Sequence, residues 1–138
     1  MTKEKLSELR YIKNELKMWE NELHELDIVA CGEAVKISGM PKAKRKNDRT
    51  AEIATKRADT IATIEKIKSD LEVEKNTLIH YIADIEDSYL RQIMYFRYVK
   101  GYTWQRIVIE VGAGSTDSIR KLHDRYLEKC EKQAQGNQ

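Results

Sequence analysis

Apolar residues recur through the first thirty positions in alternating steps of three and four: Leu9, Ile12, Leu16, Trp19, Leu23, Leu26 and Ala30, with Leu6 extending the row by nearly a turn. Glu and Lys fill most other positions. This is the a/d seam of a heptad and predicts one long amphipathic helix. Gly32 is expected to end it, and residues 37–47 (ISGMPKAKRKN) have no periodicity. Met40 precedes Pro41, whose ring disfavours helix in the residue before it. A second long helix is expected from Asp48 or Thr50, either of which can cap an N-terminus. Its stripe runs through Ile53, Arg57, Thr60, Ile64, Ile67, Leu71, Leu78, Ile82 and Ile85, with Ile61 beside it. The turn at Glu74 and Lys75 is weakly apolar. Neither stripe is stable in water, so the two helices pair either within one chain as an antiparallel hairpin or between chains. Their similar lengths favour the hairpin.

The pattern shortens after residue 85. Asp87 or Ser88 can cap a helix whose buried side carries Leu90, Ile93, Met94 and Tyr98, widened by Tyr89 and Phe96. Gly101 suits the left-handed position that ends it. Thr103 then caps a short helix with Trp104, Ile107, Val108 and Val111 at i, i+3, i+4 and i+7. The run 112-GAGS-115 permits a tight reversal, since glycine reaches backbone angles closed to other residues. Ser115 or Thr116 caps a last helix whose inner side is Ile119, Leu122, Tyr126 and Cys130. Helix, glycine turn, helix is the helix-turn-helix pattern. The expected organisation is all-α: a helical hairpin over 1–84 with a basic loop at 32–49, a helix-turn-helix over 85–132 and a disordered tail over 133–138.

Composition agrees with long helices. Charged residues make up 35% of the 138, with only six Gly and one Pro. Net charge is +2, yet residues 36–57 carry +6 and residues 97–129 carry +3, while the predicted rods are mildly acidic. Such segregation points to an anionic partner. No apolar run approaches the ~20 residues of a membrane span, and no leader pattern opens the chain. Cys31 and Cys130 are far apart and show no CxxC spacing, so free thiols are expected. His24, His80 and His123 are too scattered to share a metal. No nucleophile–base set or phosphate-binding glycine loop is present, so neither an enzyme nor a cofactor is expected. Trp19, Trp104 and most of the tyrosines read as core.

The polar side of the last helix carries Thr116, Asp117, Ser118, Arg120, Lys121, Asp124 and Arg125. In a helix-turn-helix the start of the second helix enters the major groove, where Arg and Lys donate to guanine and Asp accepts from cytosine. Lys100, Gln105, Arg106 and Ser115 lie where backbone phosphates are met. A plain helical corner with a solvated charged face is the structural alternative.

The segments 95-YFRYVKGYTWQRI-107 and 115-STDSIRKLHDRYL-127 resemble the helix-turn-helix of region 4 of sigma-70-type factors. They are most similar to small phage-encoded regulators of Gram-positive bacteria, the ArpU-like late regulators. Residues 38-SGMPKAKRKND-48 resemble the basic connecting loop of those proteins. The resemblance implies a DNA-binding transcriptional regulator in the bacterial cytoplasm, with Thr116, Asp117 and Lys121 at base-contacting positions and Arg120 and Arg125 flanking them. It also implies that the helical half dimerises or contacts RNA polymerase. Two departures matter: the 112–115 turn is one residue longer than in sigma factors, and Thr116 stands where they often have Arg. Promoter preference is therefore not carried over, and no promoter-melting region is present. A small terminase-like DNA-packaging subunit and a coiled-coil protein-interaction module are the competing expectations.

Overall fold

The computed structural model describes residues 1–36, 43–112 and 114–136, and all regular structure among them is helical. The elements are α1 (Lys3–Lys36), α2 (Ala43–Ala83), α3 (Ser88–Met94), a π-helical turn (Tyr95–Val99), α4 (Trp104–Val111) and α5 (Thr116–Gly136). Three boundaries differ from expectation. Gly32 lies inside α1, because an interior glycine costs a helix only about 1 kcal/mol relative to alanine. Helix α2 has already begun at Ala43, so neither Asp48 nor Thr50 caps it. Helix α5 continues to Gly136, which makes residues 133–136 helical instead of a disordered tail. Residues 37–42 of the expected basic loop, and residues 137 and 138, lie outside the described residues.

The chain forms two compact units. The first is Lys13–Asp70. Along its α1 segment Leu16, Trp19, Leu23, Leu26 and Ala30 are half-buried, as their heptad spacing predicts, and Thr60, Ile64 and Ile67 are buried on α2. Arg57, a charge inside an apolar stripe, places Nε 2.7 Å from Asp27 Oδ1 of α1. Both partners are exposed, so this pair matters more for register than for stability. The Thr60 hydroxyl is satisfied by donating to the Lys56 carbonyl at 2.8 Å. The indole N–H of Trp19 is buried with no partner among the described residues. Trp19→Phe removes that orphan donor, and its thermal unfolding is expected to stay within about 1 kcal/mol of the parent, because lost ring area and relieved desolvation oppose each other.

The second unit joins Met1–Ile12 to Leu71–Gln138. The expected boundary at residues 84 and 85 does not separate its buried side chains. Leu6 and Leu9 of α1 share one cluster with Leu78 and Ile82 of α2, with Ile85, and with Leu90, Met94, Tyr98, Val99 and Leu127. A second cluster holds one isoleucine from each of α3, α4 and α5, Ile93, Ile107 and Ile119, all fully buried. Tyr81 and Tyr126 meet through their hydroxyls at 3.2 Å, with Cys130 Sγ 3.9 Å from Tyr81 Oη. Burial raises the pKa of both phenols.

Capping follows the sequence. Asp87 accepts from the Tyr89 N–H at 3.1 Å, and Thr103 accepts from the Arg106 N–H at 3.3 Å. The unexpected element is the π-helical turn. The Lys100 N–H donates to the Tyr95 carbonyl, five residues back, at 3.1 Å. A five-residue step brings Val99 into the same core as Met94, whereas a regular helix would rotate it away. Gly101 then turns the chain at φ 73°.

Candidate nucleic-acid interface

Helix α4 ends at Gly112, whose N–H still donates to the Val108 carbonyl at 3.0 Å and whose φ of 76° then turns the chain out of the helix. Gly114 follows at φ 83°, and Ser115 starts α5 with a reciprocal cap. The Ser118 N–H donates to Ser115 Oγ at 3.2 Å, and the Ser115 N–H donates to Ser118 Oγ at 2.9 Å. This satisfies two backbone donors at a helix start, as a capping box does. A side chain at residue 114 would be crowded: a Cβ there would sit 3.0 Å from both Ser118 Oγ and Tyr89 Oη, which would have to give way slightly. Gly114→Ala is therefore expected to lower stability by at least about 1–2 kcal/mol, the left-handed cost alone. Gly112→Ala should cost less, since open space surrounds it. Paired urea unfolding curves measure the difference.

Helix α5 buries Ile119, His123 and Leu127, with Leu122, Tyr126 and Cys130 half-buried beside them. At 100° per residue, the opposite side centres on Asp117, Lys121 and Glu128, with Arg125 adjoining. Asp117, Lys121 and Arg125 are exposed there. The other expected base-contacting residues are placed differently. Thr116 is half-buried. Ser118 is exposed, but its hydroxyl is engaged in the cap and also donates to the Ser115 carbonyl at 2.9 Å. Arg120 turns to the edge of the helix and lines a cavity with Arg97 and His123. Asp124 Oδ1 is 2.9 Å from His123 Nδ1. The usable outer flank is thus narrower than the sequence suggests.

The expected phosphate contacts divide similarly. Lys100 and Gln105 are exposed, the Lys100 ammonium standing 5.9 Å over the Tyr95 ring. The Arg106 guanidinium lies 3.8 Å over the Tyr102 ring, which itself stacks on Phe96 at 5.6 Å. It also donates to Tyr102 Oη at 3.2 Å, and its Nε lies 4.0 Å from Glu110 Oε1. That stack pre-orients Arg106 while leaving its edge in solvent. The Ser115 hydroxyl is engaged in its own cap.

Sequence reasoning missed the polar chain beneath α5. Tyr98 Oη lies 2.6 Å from His123 Nε2, inside the core. Burial pushes the Tyr98 phenol up to about 12, so the hydroxyl keeps its proton and is able to donate, while the Asp124 carboxylate 2.9 Å from Nδ1 can only accept. The neutral imidazole therefore carries its proton on Nδ1, and Nε2 accepts from the Tyr98 hydroxyl. Burial lowers the pKa of His123, against the opposing pull of Asp124. Trp104 closes the site edge-on at 5.0 Å from the imidazole, and the Arg97 guanidinium caps the indole at 4.5 Å. The four-residue steps Ile119–His123–Leu127 carried this signal, since they place a histidine on an apolar stripe. Nothing in the pattern around Arg97 did.

Among the described residues no group of His, Cys, Asp and Glu could hold a metal ion, and no helix is long and apolar enough to cross a membrane. No protein family, curated protein or solved structure matches this chain.

Proposed function

We propose that this chain is a sequence-specific transcriptional regulator of phage or prophage origin that binds double-stranded DNA, with the start of α5 entering the major groove. One observation carries the reading. Ile93, Ile107 and Ile119 lock three helices around a glycine turn while Asp117, Lys121 and Arg125 of α5 stay in solvent. The +3 balance of residues 97–129 supplies attraction for a polyanion. The similarity of residues 95–107 and 115–127 to region 4 of sigma factors supports the same arrangement. Pairing of α1 with α2 is supported inside each compact unit separately, by Asp27–Arg57 in one and by Lys5–Glu74 in the other. Met18, Ile28 and Val29 are exposed apolar positions on α1. They fit a partner helix, from a second copy of the chain or from RNA polymerase.

Binding to a labelled duplex over a salt series tests the proposal. Affinity should fall steeply with salt, each phosphate contact adding about 0.9 to the logarithmic slope. Lys121→Glu with Arg125→Glu should weaken binding more than about tenfold at matched salt with an unchanged melting curve, since one base contact alone is worth about 1–3 kcal/mol. A double variant that binds like the parent removes α5 as the reading helix. Failure of the parent to bind any duplex would favour the second reading, a protein-interaction module using the exposed apolar positions of α1. Mass in solution separates a regulator, expected as a monomer or dimer, from a ring-forming packaging subunit.

A further inference from the structure

Outside the outer flank of α5, positive charge converges on a cavity of about 220 Å³ within the second compact unit. Four cationic side chains line it: Lys3 and Arg10 from α1, Arg97 from the π-helical turn and Arg120 from α5. Lys3 and Arg10, with Ser7 between them, follow a four-then-three spacing that sets them on one helix face. The one carboxylate in the lining, Asp124, accepts from the neutral His123 imidazole and keeps its charge, so four cations face a single anion. Among the described residues none of the four cations makes an ion pair. Arg97 is held by stacking on Trp104 and by donating to the Tyr102 carbonyl at 3.1 Å, neither of which neutralises it.

Unpaired like charges in one concavity repel each other, and burial strengthens the repulsion. Arg97 shows the effect: burial first, then Arg10 and Arg120, lower its pKa. An anion would reverse that repulsion. At about 30 Å³ per water, the cavity has room for roughly seven waters. It is smaller than the roughly 300–1,000 Å³ typical of pockets for whole organic ligands. Size and charge together select a compact multivalent anion.

We propose that this cavity is a binding site for a single phosphoryl group, held by Lys3, Arg10, Arg97 and Arg120 with the Trp104 ring as one wall. The group belongs either to a nucleic-acid backbone or to a small phosphorylated molecule, and guanidinium forks suit both. The site does not depend on α5 reading a major groove.

Trp104 provides the test. In a Trp19→Phe background its emission reports on the cavity alone, and inorganic phosphate is titrated against potassium chloride at matched ionic strength. The expected result is a saturable, phosphate-specific change. Lys3→Ala with Arg10→Ala, two exposed positions, should weaken it at least tenfold with helicity and melting unchanged. Should that pair perturb folding, Arg10→Gln alone repeats the test with a smaller loss. Repeating the titration with saturating duplex identifies the source. Displacement of phosphate by duplex, with a parallel loss of duplex affinity in the Lys3/Arg10 variant, indicates a backbone phosphate. Undiminished phosphate binding indicates a small phosphorylated molecule. An emission change that tracks ionic strength alone, or a Lys3/Arg10 variant that binds phosphate like the parent, overturns the proposal. The Lys121/Arg125 variant should bind phosphate normally, so failure of the groove reading and failure of this site are distinguishable.

Discussion

Ile107→Ala is expected to lower the unfolding free energy by about 2–5 kcal/mol, the range for truncating a fully buried aliphatic side chain. Ile107 is 0% exposed and meets Ile93 and Ile119, equally buried, from the neighbouring helices. All three sit where α3, α4 and α5 come together, so a void there has no solvent-side neighbour that can collapse into it. Ile109 provides the control. It has the same side chain in the same helix but is 77% exposed. Ile109→Ala should change stability by no more than about 0.5 kcal/mol. Urea unfolding of both variants, followed by circular dichroism, measures the contrast. Equal effects would mean that α4 does not bury the face described. On the proposed reading, duplex binding should fail in Ile107→Ala near its lowered melting point and persist in Ile109→Ala throughout.

The second large effect comes from the polar chain beneath α5. Tyr98→Phe removes the donor to His123 Nε2 and leaves that nitrogen buried without its 2.6 Å partner. The cost is expected at about 1–3 kcal/mol, because an orphaned buried acceptor loses its water and gains nothing. The same site gives stability a pH dependence. Burial lowers the folded-state pKa of His123 beneath the ordinary 6.5. Between those two values the unfolded chain binds more protons than the folded one, so stability rises with pH there. The contribution is complete above pH 6.5 and is lost as pH falls from 6.5 through the lower, folded-state value. Unfolding curves at pH 7.5 and 5.5 should therefore separate for the parent. His123→Gln, which does not titrate, should show a smaller separation. A histidine variant with an unchanged pH dependence would show that folding does not lower the pKa of this imidazole.

Much of the fold could be read from the residues because it depends on neighbours in sequence. The seam from Leu9 to Ala30 depends only on helical period, and so do the Ile93, Ile107 and Ile119 faces. The caps at Asp87, Thr103 and Ser115 and the left-handed turns at Gly101, Gly112 and Gly114 are equally local, set by short side chains and by glycine's freedom at positive φ. The outer flank of α5 was legible for the same reason. Periodicity alone places Lys121 and Arg125 opposite Ile119.

Helix ends were less legible. Gly32 and Asp48 are plausible stop and start signals, but each signal is worth only about 1 kcal/mol. Each helix continues past its signal, so propagation of the intrahelical hydrogen bonds outweighs it. Ser118 and Asp124 looked like groove-facing residues because their side chains are polar and solvent-accessible. Each is engaged by a partner that sequence spacing does not weigh, a backbone amide for one and an imidazole for the other.

What the sequence determined by itself is a set of properties fixed by helical period, glycine and charge: all-helical content, the buried stripe of each helix, the glycine reversal and the charge of the C-terminal segment. Only the tertiary structure decided that Leu6 and Leu9 belong to the same core as Leu127, and that Lys3 and Arg10 share a cavity with Arg97 and Arg120. It also decided that a π-helical turn, in place of a regular one, carries Val99 inward. The reason is physical. Periodicity specifies the direction of a side chain about its own axis, whereas the partner it meets depends on which distant helix covers that direction, and more than sixty residues separate Leu9 from Leu78.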